Sequence, residues 1–480
     1  MNAKRHEQER QQLGRRLAAF ALAFVLVGVS SAAPGAAQSS PVYPLKISAN
    51  KRHFVDGRNR PVLFHADTGW HLFYKLTKAE AEQYLENRRQ KGFNTILVQL
   101  LTDGDYYPNR DGDFPLLAAD DLSAPNEKFF AHVDWVVRKA GEKGIQLMIA
   151  PAWIGCCKGG WREKMKINGT EKCRQFGRYV GARYKSFPNV MWLLGGDRKP
   201  EEFFDVVRAM GVGVSETDSN HLRTVHPSPP FSALELYPNE AWLDFNVTYT
   251  YSPDNMKVGR RQLHVYHTSR QDYQRTPVMP FVLIESTYEG EHNSPPQQVR
   301  RQAYWSVLSG SAGQVMENAP IYFFGDKWRQ AMDAPGSRDM SHLYALFARR
   351  AWHTLVPDQT RSLVTAGGGT YSSTIDAQAG FDYVTAARAA DGSFALVYLP
   401  EGNEVTIDLR QLGGKAGKVS ASWFDPVSGK YAVVANSPFP NSGTMKFSPP
   451  AKNVGGERDF ILVLEAAKDS AVPSRPVTLE

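Results

Sequence analysis

The stretch Asn189-Val-Met-Trp-Leu-Leu-Gly-Gly-Asp197 contains five consecutive apolar residues, bounded by Pro188 and by Gly195-Gly196. Such a run predicts a strand that is buried on both faces, as in a parallel sheet. Asp197 lies where this strand ends, and an acid there faces the mouth of a sheet or barrel, where active sites are built. The alternative interpretation is an N-cap for a helix that Lys199-Pro200-Glu201-Glu202 would begin.

A second apolar run that also ends in one acid favours the first interpretation. Pro280-Phe-Val-Leu-Ile-Glu285 has the form of another buried strand. Two such acids, several strands apart, indicate a pair that faces one pocket from opposite sides. Cleavage of a glycosidic bond needs such a pair, because one acid protonates the leaving oxygen while one carboxylate attacks or stabilises the sugar cation. A separation of about 5–5.5 Å retains the anomeric configuration, whereas a wider gap inverts it.

Eight buried-strand runs, each followed by a helix or a long loop, organise residues 45–365. They end near His65, Gln99, Pro151, Asp197, His226, Tyr249, Glu285 and Glu317. Eight βα units over about 300 residues are the pattern of a (β/α)8 TIM barrel, an α/β fold. Asp197 then ends the fourth strand and Glu285 the seventh. One helix start is explicit, because Thr77 and Glu80 have the spacing of a capping box.

Residues 366–468 differ from the barrel segment, since they contain short alternating strands separated by turn residues. A Gly- and Ser-rich stretch begins this segment, and Asp391-Gly392 and Val427-Ser-Gly429 mark turns between strands. The pattern predicts a smaller all-β sandwich domain of about 100 residues after the barrel. We expect this domain to pack on the barrel rather than to bind a ligand independently, because a sandwich fold alone implies no function. Residues 469–480 are predicted to form a flexible tail.

The N-terminus has the parts of a secretory signal peptide, which we predict over residues 1–37. Basic residues precede an apolar run from Leu17 to Val29, and small residues follow it. That run is short for a transmembrane span. We therefore expect an exported protein, periplasmic or extracellular, with no membrane attachment after signal cleavage. The pair Arg15-Arg16 leaves both the general and the twin-arginine export routes open. Residues 38–44, which follow the signal peptide, are predicted to be a disordered lead.

Charge and cysteine content limit the partners of the chain. The formal charge of +7 falls by three without the signal segment, which has five basic and two acidic residues. The mild excess that remains does not indicate a nucleic-acid partner. In an exported protein Cys156 or Cys157 could bridge to Cys173 across a short loop. We favour this disulfide over a metal site, since no further Cys or His has ligand spacing, and the sequence predicts neither a metal ion nor a cofactor.

Motifs across most of the mature chain identify a family resemblance. The chain resembles the apiosidase-like glycoside hydrolases (glycoside hydrolase family 140), which carry a C-terminal β-domain labelled as collagen-binding. The matching barrel stretches are Ala66-Asp-Thr-Gly-Trp70, Gly92-Phe-Asn-Thr-Ile96, Trp192-Leu-Leu-Gly-Gly-Asp197, His226-Pro227, Trp242-Leu-Asp-Phe-Asn246, Glu285-Ser-Thr-Tyr-Glu289, Arg301-Gln-Ala-Tyr-Trp-Ser-Val-Leu-Ser-Gly310 and Trp352-His-Thr-Leu-Val-Pro357. The matching β-domain stretches are Ala395-Leu-Val-Tyr-Leu-Pro400 and Trp423-Phe-Asp-Pro426.

The resemblance implies a role for each acid. It places the catalytic acid/base at the Gly-Gly-Asp acid, here Asp197, and the nucleophile at the acid of the seventh strand, here Glu285. Two strand ends differ from the family pattern. The sixth ends Thr248-Tyr-Thr-Tyr-Ser252 instead of a Gln-Ser-Gly-His-like sequence, and the eighth reads Gln314-Val-Met-Glu-Asn318 instead of a His-Thr-Tyr-Gly type. Both ends line the sugar pocket, so the resemblance supports the chemistry more strongly than the apiose specificity.

Further side chains at the predicted strand ends are candidates for substrate binding. Asp67 would bind sugar hydroxyls and Trp70 would stack on the ring, with an N-cap and a core aromatic as the structural alternatives. Tyr249 could hydrogen-bond the nucleophile, and Glu317 could bind substrate or form a buried ion pair. His226 could equally be a structural histidine. The full predicted set is Asp67, Trp70, Gln99, Trp153, His226, Tyr249, Tyr288 and Glu317.

These features together predict an exported retaining glycosidase. We expect an exo-acting enzyme that removes apiosyl or related furanosyl residues from the side chains of an oligo- or polysaccharide. The alternative is a non-catalytic protein that binds carbohydrate or matrix and uses the TIM barrel as a scaffold. Two acids retained at strand ends favour the enzyme, and the oligomeric state stays open.

Overall fold

The computed structural model of the protein describes residues 40–102, 107–155, 160–251, 254, 262–375, 379–413 and 417–467. The predicted signal segment, the predicted tail, Cys156 and Cys157 lie outside these residues. Cys173 is a buried free thiol, and its S–H donates to the backbone oxygen of Met165 at 3.6 Å. The favoured disulfide is therefore not present at Cys173, whose side chain faces the core. Among the helices of the described ranges, none combines the length and the apolar character that a membrane span requires.

A small antiparallel sheet precedes the barrel. Its strands are β1 (Lys46–Ile47), β2 (Phe54–Val55) and β3 (Pro61–Val62). The chain before β1 is already attached to the barrel, because the Tyr43 hydroxyl donates to the backbone oxygen of Asn94 at 2.7 Å. The main-chain N–H of Val42 also donates to Asp56, at 3.2 Å. The predicted disordered lead is therefore wrong for residues 40–44, where an aromatic anchor and buried hydrogen-bond acceptors order the backbone.

Eight parallel strands form the barrel, each where the sequence predicts one. They are β4 (Phe64–Thr68), β5 (Thr95–Gln99), β6 (Gln146–Ala150), β7 (Val190–Gly195), β8 (Arg223–His226), β9 (Asn246–Tyr249), β10 (Phe281–Glu285) and β11 (Gly313–Met316). Pairing follows the order β8-β7-β6-β5-β4-β11-β10-β9. All residues of these strands except Arg223 are buried. Burial on both faces explains why each strand has a continuous apolar run rather than alternation.

The two strands at the ends of this order, β8 and β9, meet and complete the barrel. The N–H of Asp244 donates to the backbone oxygen of Arg223 at 2.9 Å. The Thr224 hydroxyl donates to the backbone oxygen of Phe245 at 2.8 Å. The Arg223 guanidinium also pairs with the Asp244 carboxylate at 2.9 Å. These contacts bring the carboxyl ends of all eight strands around one mouth.

Helices cover the outside of the barrel and several loops at its ends. They are α1 (Leu72–Lys75), α2 (Lys78–Gln90), α3 (Glu127–Glu142), α4 (Arg162–Tyr184), α5 (Phe204–Thr217), α6 (Ala233–Leu236), α7 (Val265–Gln274), α8 (Pro296–Leu308), α9 (Ala319–Tyr322), α10 (Trp328–Ala331) and α11 (Pro335–Ala348). Short 3-10 turns occupy Pro200–Glu202, Glu291–Asn293, Trp352–Thr354 and Leu409–Gln411. The predicted capping box is present at the start of α2, where Thr77 and Glu80 satisfy each other's backbone N–H groups.

Two antiparallel sheets follow the barrel and confirm the predicted sandwich. The larger has the order β12 (Leu355–Pro357), β14 (Thr385–Ala389), β15 (Phe394–Leu399), β21 (Phe460–Ala466), β17 (Lys418–Phe424) and β18 (Tyr431–Val433), with β19 (Phe439–Pro440) also on β17. The smaller contains β13 (Val364–Ala366), β16 (Val405–Asp408) and β20 (Thr444–Phe447). Because β12 pairs with β14 and Val364 pairs with Ile407, this β-domain begins before the predicted boundary at residue 366.

Alternation along β15 shows how the β-domain is held. Side chains of one face pack between the two sheets: Ala395, Val397 and Leu399. Side chains of the other face join a hydrophobic cluster shared with α8 and α11 of the barrel: Phe394, Leu396 and Tyr398. This period of two is expected for a strand that is buried on both faces. The larger sheet therefore lies between the barrel and the smaller sheet.

A buried arginine joins the two domains. Arg300 in α8 is 1% exposed and pairs with Asp459 at 2.6 Å, Glu457 at 2.8 Å and Asp339 at 2.9 Å. Asp459 directly precedes β21, so the ion pair spans the domain boundary. The indole N–H of Trp305 adds a hydrogen bond to the backbone oxygen of Tyr383, at 2.8 Å. These contacts support the expectation that the β-domain is a packing partner of the barrel.

Candidate active site

The carboxyl ends of the barrel strands surround a cavity of about 410 Å³. Its wall combines aromatic rings with a few polar groups, which is the composition of a small-molecule site. Asp197 and Glu285 both lie on this wall. The lining residues are Trp70, Gln99, Trp153, Asp197, Arg198, Pro229, Tyr249, Tyr251, Glu285, Tyr288, Glu291, Tyr322 and Phe323.

Two glycines turn the chain at the end of β7 and so place Asp197. Gly195 has φ +81° and Gly196 has φ +153°, backbone conformations that favour glycine. A Cβ on Gly195 would lie 2.8 Å from the backbone oxygen of His226, and one on Gly196 would lie 3.0 Å from the N atom of Gly155. The Gly-Gly pair is therefore required both for the turn and for close approach to the neighbouring strand ends.

A histidine lies between the two acids. In His226, Nδ1 is 3.4 Å from Asp197 Oδ1, and Nε2 is 3.1 Å from Glu285 Oε2. One oxygen of Asp197 and one of Glu285 lie within 4.8 Å of each other. That spacing suits a nucleophile and an acid on opposite sides of one glycosidic bond, for which about 5–5.5 Å is typical of retaining enzymes.

Glu285 lies in the more enclosed part of the site. Its side chain is 6% exposed, and the hydroxyl of Tyr249 donates to Oε1 at 2.9 Å. Parallel pairing sets this contact, because Tyr249 on β9 is the register partner of Glu285 on β10. Burial and the negative charges of Asp197 and Glu285 raise the pKa of Tyr249 well above its usual value. Tyr249 therefore remains a hydrogen donor to the Glu285 carboxylate.

Asp197 lies where the cavity meets a second cleft. Its side chain is 18% exposed, and it also lines a neighbouring cavity of about 670 Å³ together with Arg198 and Pro229. An acid that exchanges protons with solvent needs such access, whereas a nucleophile needs shelter from water. The two acids thus have different environments, as an acid and a nucleophile require.

Burial determines the charge state of His226. It lowers the pKa of this imidazole, while the Asp197 charge acts in the opposite direction. Nδ1 also lies 3.0 Å from the backbone oxygen of Pro227. A neutral imidazole donates through one nitrogen and accepts through the other.

Five of the eight predicted substrate-binding residues line the cavity: Trp70, Gln99, Trp153, Tyr249 and Tyr288. Two of them are joined, because the indole N–H of Trp70 donates to the Tyr288 hydroxyl at 3.2 Å. Trp70 and Trp153 have ring centroids 4.8 Å apart and form an aromatic wall. His226 contacts both acids, as described above. These six residues therefore lie at the site.

Asp67 does not line the cavity, and its prediction as a sugar ligand is corrected. It is fully buried, pairs with Arg88 Nε of α2 at 2.9 Å, and accepts a hydrogen bond from the Tyr84 hydroxyl at 2.7 Å. The Asp67 side chain therefore faces the helix layer. The signal was present in α2, since Tyr84 and Arg88 are four residues apart and lie on one face.

Glu317 is also absent from the lining of the cavity. It is 1% exposed, and its Oε2 accepts the backbone N–H of Ser286 at 3.0 Å. It therefore lies behind Glu285 instead of facing substrate, and none of the described residues forms the ion pair considered as the alternative.

The predicted set leaves out six residues that line the cavity: Arg198, Pro229, Tyr251, Glu291, Tyr322 and Phe323. Arg198 directly follows Asp197, and Tyr251 follows β9 with its hydroxyl 3.1 Å from Glu291 Oε2. Arg198 was open to prediction from its position beside the acid, whereas the others depend on loop folding.

The same acids and histidine have donor atoms close enough to hold a metal ion. Asp197, His226 and Glu285 each offer one atom within a 4.8 Å group. His226 directs different nitrogens at the two acids, however, and one ion can bind only one of those nitrogens. Competition with the acid and nucleophile roles also disfavours a resident metal, and its absence remains a prediction.

A TIM barrel with two facing acids at its mouth is the arrangement that glycosidases use. The chain belongs to the apiosidase-like family, because the model "Apiosidase-like, catalytic domain" matches residues 48–354. Residues 372–465 match the model "Putative collagen-binding domain of a collagenase". Comparison with curated proteins gave no significant match.

Two solved structures have the same fold over nearly the whole chain. One is named glycoside hydrolase, with 24% identity, a TM-score of 0.76, and coverage of 88% of this chain and 97% of its own. The other is a glycoside hydrolase family 5 protein from Bacteroides vulgatus, with 23% identity, a TM-score of 0.77, and coverage of 89% and 95%. Both alignments include the barrel and the β-domain, so this two-domain arrangement is shared.

Proposed function

We propose that the protein is an exported, retaining, exo-acting glycosidase that removes apiosyl or related furanosyl residues from polysaccharide side chains. The observation that carries this proposal is the arrangement of Asp197, His226 and Glu285, with acid oxygens within 4.8 Å. Export is proposed from the N-terminal signal sequence alone. The altered end of the sixth strand, where Tyr249 and Tyr251 line the cavity, is the reason for including related furanosyl groups.

In the first step, Glu285 attacks the anomeric carbon while Asp197 donates its proton to the departing glycosidic oxygen. The carbon–oxygen bond to the leaving group breaks as an ester bond to Glu285 forms. Tyr249 holds the Glu285 carboxylate in its charged form before attack. In the second step, Asp197 takes a proton from water, and the resulting hydroxide displaces Glu285 from the sugar with the original configuration restored.

The geometry of the two cavities supports the assignment of subsites. The sugar that is cleaved would occupy the aromatic cavity, with its ring against the Trp70–Trp153 wall. The leaving group lies next to the general acid in any such mechanism. The second cleft, which adjoins the first at Asp197, is therefore placed to receive the remainder of the glycan. We assign exo-action to the aromatic cavity as the subsite of the terminal sugar.

Sugar release from pectic side-chain fractions and other furanoside-bearing glycans tests the proposal. We expect wild-type protein to release monosaccharide from the start, and Glu285→Ala to release none. Early oligosaccharide products would contradict exo-action. Release of a sugar other than a furanose would contradict the substrate class while leaving the mechanism intact.

The match of residues 372–465 is the observation that favours the alternative of a non-catalytic binding protein. Glu285→Gln separates the two functions. A binding protein would retain the wild-type affinity for glycan in this variant and would show no turnover in either form. The enzyme loses turnover on this substitution.

A further inference from the structure

Glu317 fixes the backbone of the loop that follows Glu285. It directly follows β11, and its Oε2 accepts the N–H of Ser286, the residue after Glu285, at 3.0 Å. Its backbone oxygen accepts the N–H of Glu289 at 2.9 Å. The side chain and main chain of one residue therefore hold both ends of the segment 286–289. The loop cannot shift without breaking these two hydrogen bonds.

The second carboxyl oxygen of Glu317 has no comparable partner. Oε1 is buried and has no hydrogen-bond partner among the described residues. The carboxyl groups that act on Glu317 belong to Glu285 on β10, Glu291 in the following turn and Asp197 after β7. Three phenols among the described residues also interact electrostatically with Glu317: Tyr249, Tyr251 and Tyr288. These neighbours supply no charge that would compensate an ionised Glu317.

A buried acid in such surroundings retains its proton. Burial of an unpaired carboxylate is costly, and neighbouring like charges disfavour ionisation further. Both effects raise the pKa of Glu317 well above its usual value, with burial the larger cause. The hydrogen bond from Ser286 acts in the opposite direction but is a single contact. The neutral form still offers an acceptor oxygen to the Ser286 N–H.

We propose that Glu317 is a positioning residue that works as an uncharged acid. It fixes the Ser286 backbone, and thereby the geometry of Glu285, without adding a second negative charge beside the nucleophile. The proposal rests on the nucleophile role proposed for Glu285. It differs from the predicted substrate-binding role, because Glu317 acts from behind the nucleophile.

Two substitutions separate positioning from charge. Glu317→Leu removes the acceptor, and kcat should fall by about 10- to 100-fold at unchanged KM, since small displacements of a reacting group have effects of this size. Glu317→Gln keeps an acceptor oxygen without charge and should restore most of this loss with the wild-type pH profile. Wild-type kcat in folded Glu317→Leu would overturn the positioning role. An equally large loss in folded Glu317→Gln would overturn the uncharged state.

Thermal unfolding tests the charge state without requiring any substrate. An unfolded Glu ionises near pH 4.3, whereas the folded protein retains the Glu317 proton to higher pH. Wild-type stability therefore falls relative to Glu317→Gln as the pH rises from about 4 to 7. The Tm of Glu317→Gln minus that of wild type should become more positive over this range. A flat or falling difference would overturn the proposal.

The exposed acid Glu142 offers a matched control for this measurement. Its side chain is 53% exposed, and a hydrogen bond from Lys139 lowers its pKa. Glu142→Gln should therefore show no rise in relative Tm with pH. Because Tm does not depend on turnover, this result stays informative even if no glycan proves to be a substrate. Failure of the proposed function and failure of this inference are thus distinguishable.

Discussion

Removal of one hydroxyl, in Tyr249→Phe, tests how the proposed nucleophile Glu285 is kept ionised. The Tyr249 hydroxyl donates to Glu285 Oε1 at 2.9 Å, and both residues are buried. Phe has the same ring and leaves the aromatic contact with His226, whose centroid is 4.9 Å away. The substitution therefore deletes a hydrogen bond with little change in packing.

The size of the effect follows from the charge of the acceptor. A hydrogen bond to a charged group contributes about 1.5–3 kcal/mol. Because about 1.36 kcal/mol corresponds to one pH unit, the acid limb of the kcat/KM profile should move to higher pH by about 1–2 units. The direction follows from the loss of a donor that stabilises only the ionised form of Glu285. At pH values well above the acid limb, Tyr249→Phe should lose less than about tenfold in activity, because Glu285 is ionised there even without the Tyr249 hydrogen bond.

The assay is initial-rate hydrolysis between about pH 3 and 8 for wild type, Tyr249→Phe and Tyr251→Phe. The Tyr251 hydroxyl bonds to Glu291, so its removal should not move the acid limb. An acid limb unchanged in Tyr249→Phe would refute the assignment of Glu285 as the group whose ionisation Tyr249 supports.

Three further substitutions test the fold around the site. Arg88→Met should lower the free energy of unfolding by about 3–5 kcal/mol, because it removes the cation that compensates the buried Asp67 carboxylate. A loss below about 1 kcal/mol in urea unfolding would contradict a buried ion pair. Gly195→Ala should lose most turnover, since the φ of +81° and the contact with His226 exclude a Cβ; wild-type kcat would contradict the proposed turn. Arg300→Met should destabilise the barrel and the β-domain together in calorimetry, and separate transitions with an unchanged barrel Tm would contradict the shared core.

The barrel was open to prediction because its strands are buried on both faces. The apolar run before Asp197 can be recognised as a buried strand without knowing which strands pair with it. All eight strands of the barrel coincide with such runs. The positions of Trp70 and Trp153 at the mouth followed from the same reasoning. Position at a strand end does not determine the direction of a side chain, however. Asp67 faces α2, where Arg88 pairs with it, and only the packing of helix on strand reveals this.

Contacts between distant segments account for the other differences. Glu317 lies at a strand end as predicted, but the N–H of Ser286 captures its side chain, a contact across two strands. Tyr43 is ordered by backbone oxygens more than fifty residues away in sequence. The early start of the β-domain depends on the pairing of β12 with β14. Hydrogen-bond partners of this kind depend on three-dimensional proximity, which apolar periodicity does not encode.

The anomeric configuration of the first sugar released tests the central proposal most directly. Proton NMR would follow hydrolysis by wild-type protein before the released sugar equilibrates, on whichever glycan supports turnover. A nucleophile and acid with oxygens within 4.8 Å predict that the first product has the same configuration as the cleaved bond. An inverted first product would contradict the covalent role of Glu285.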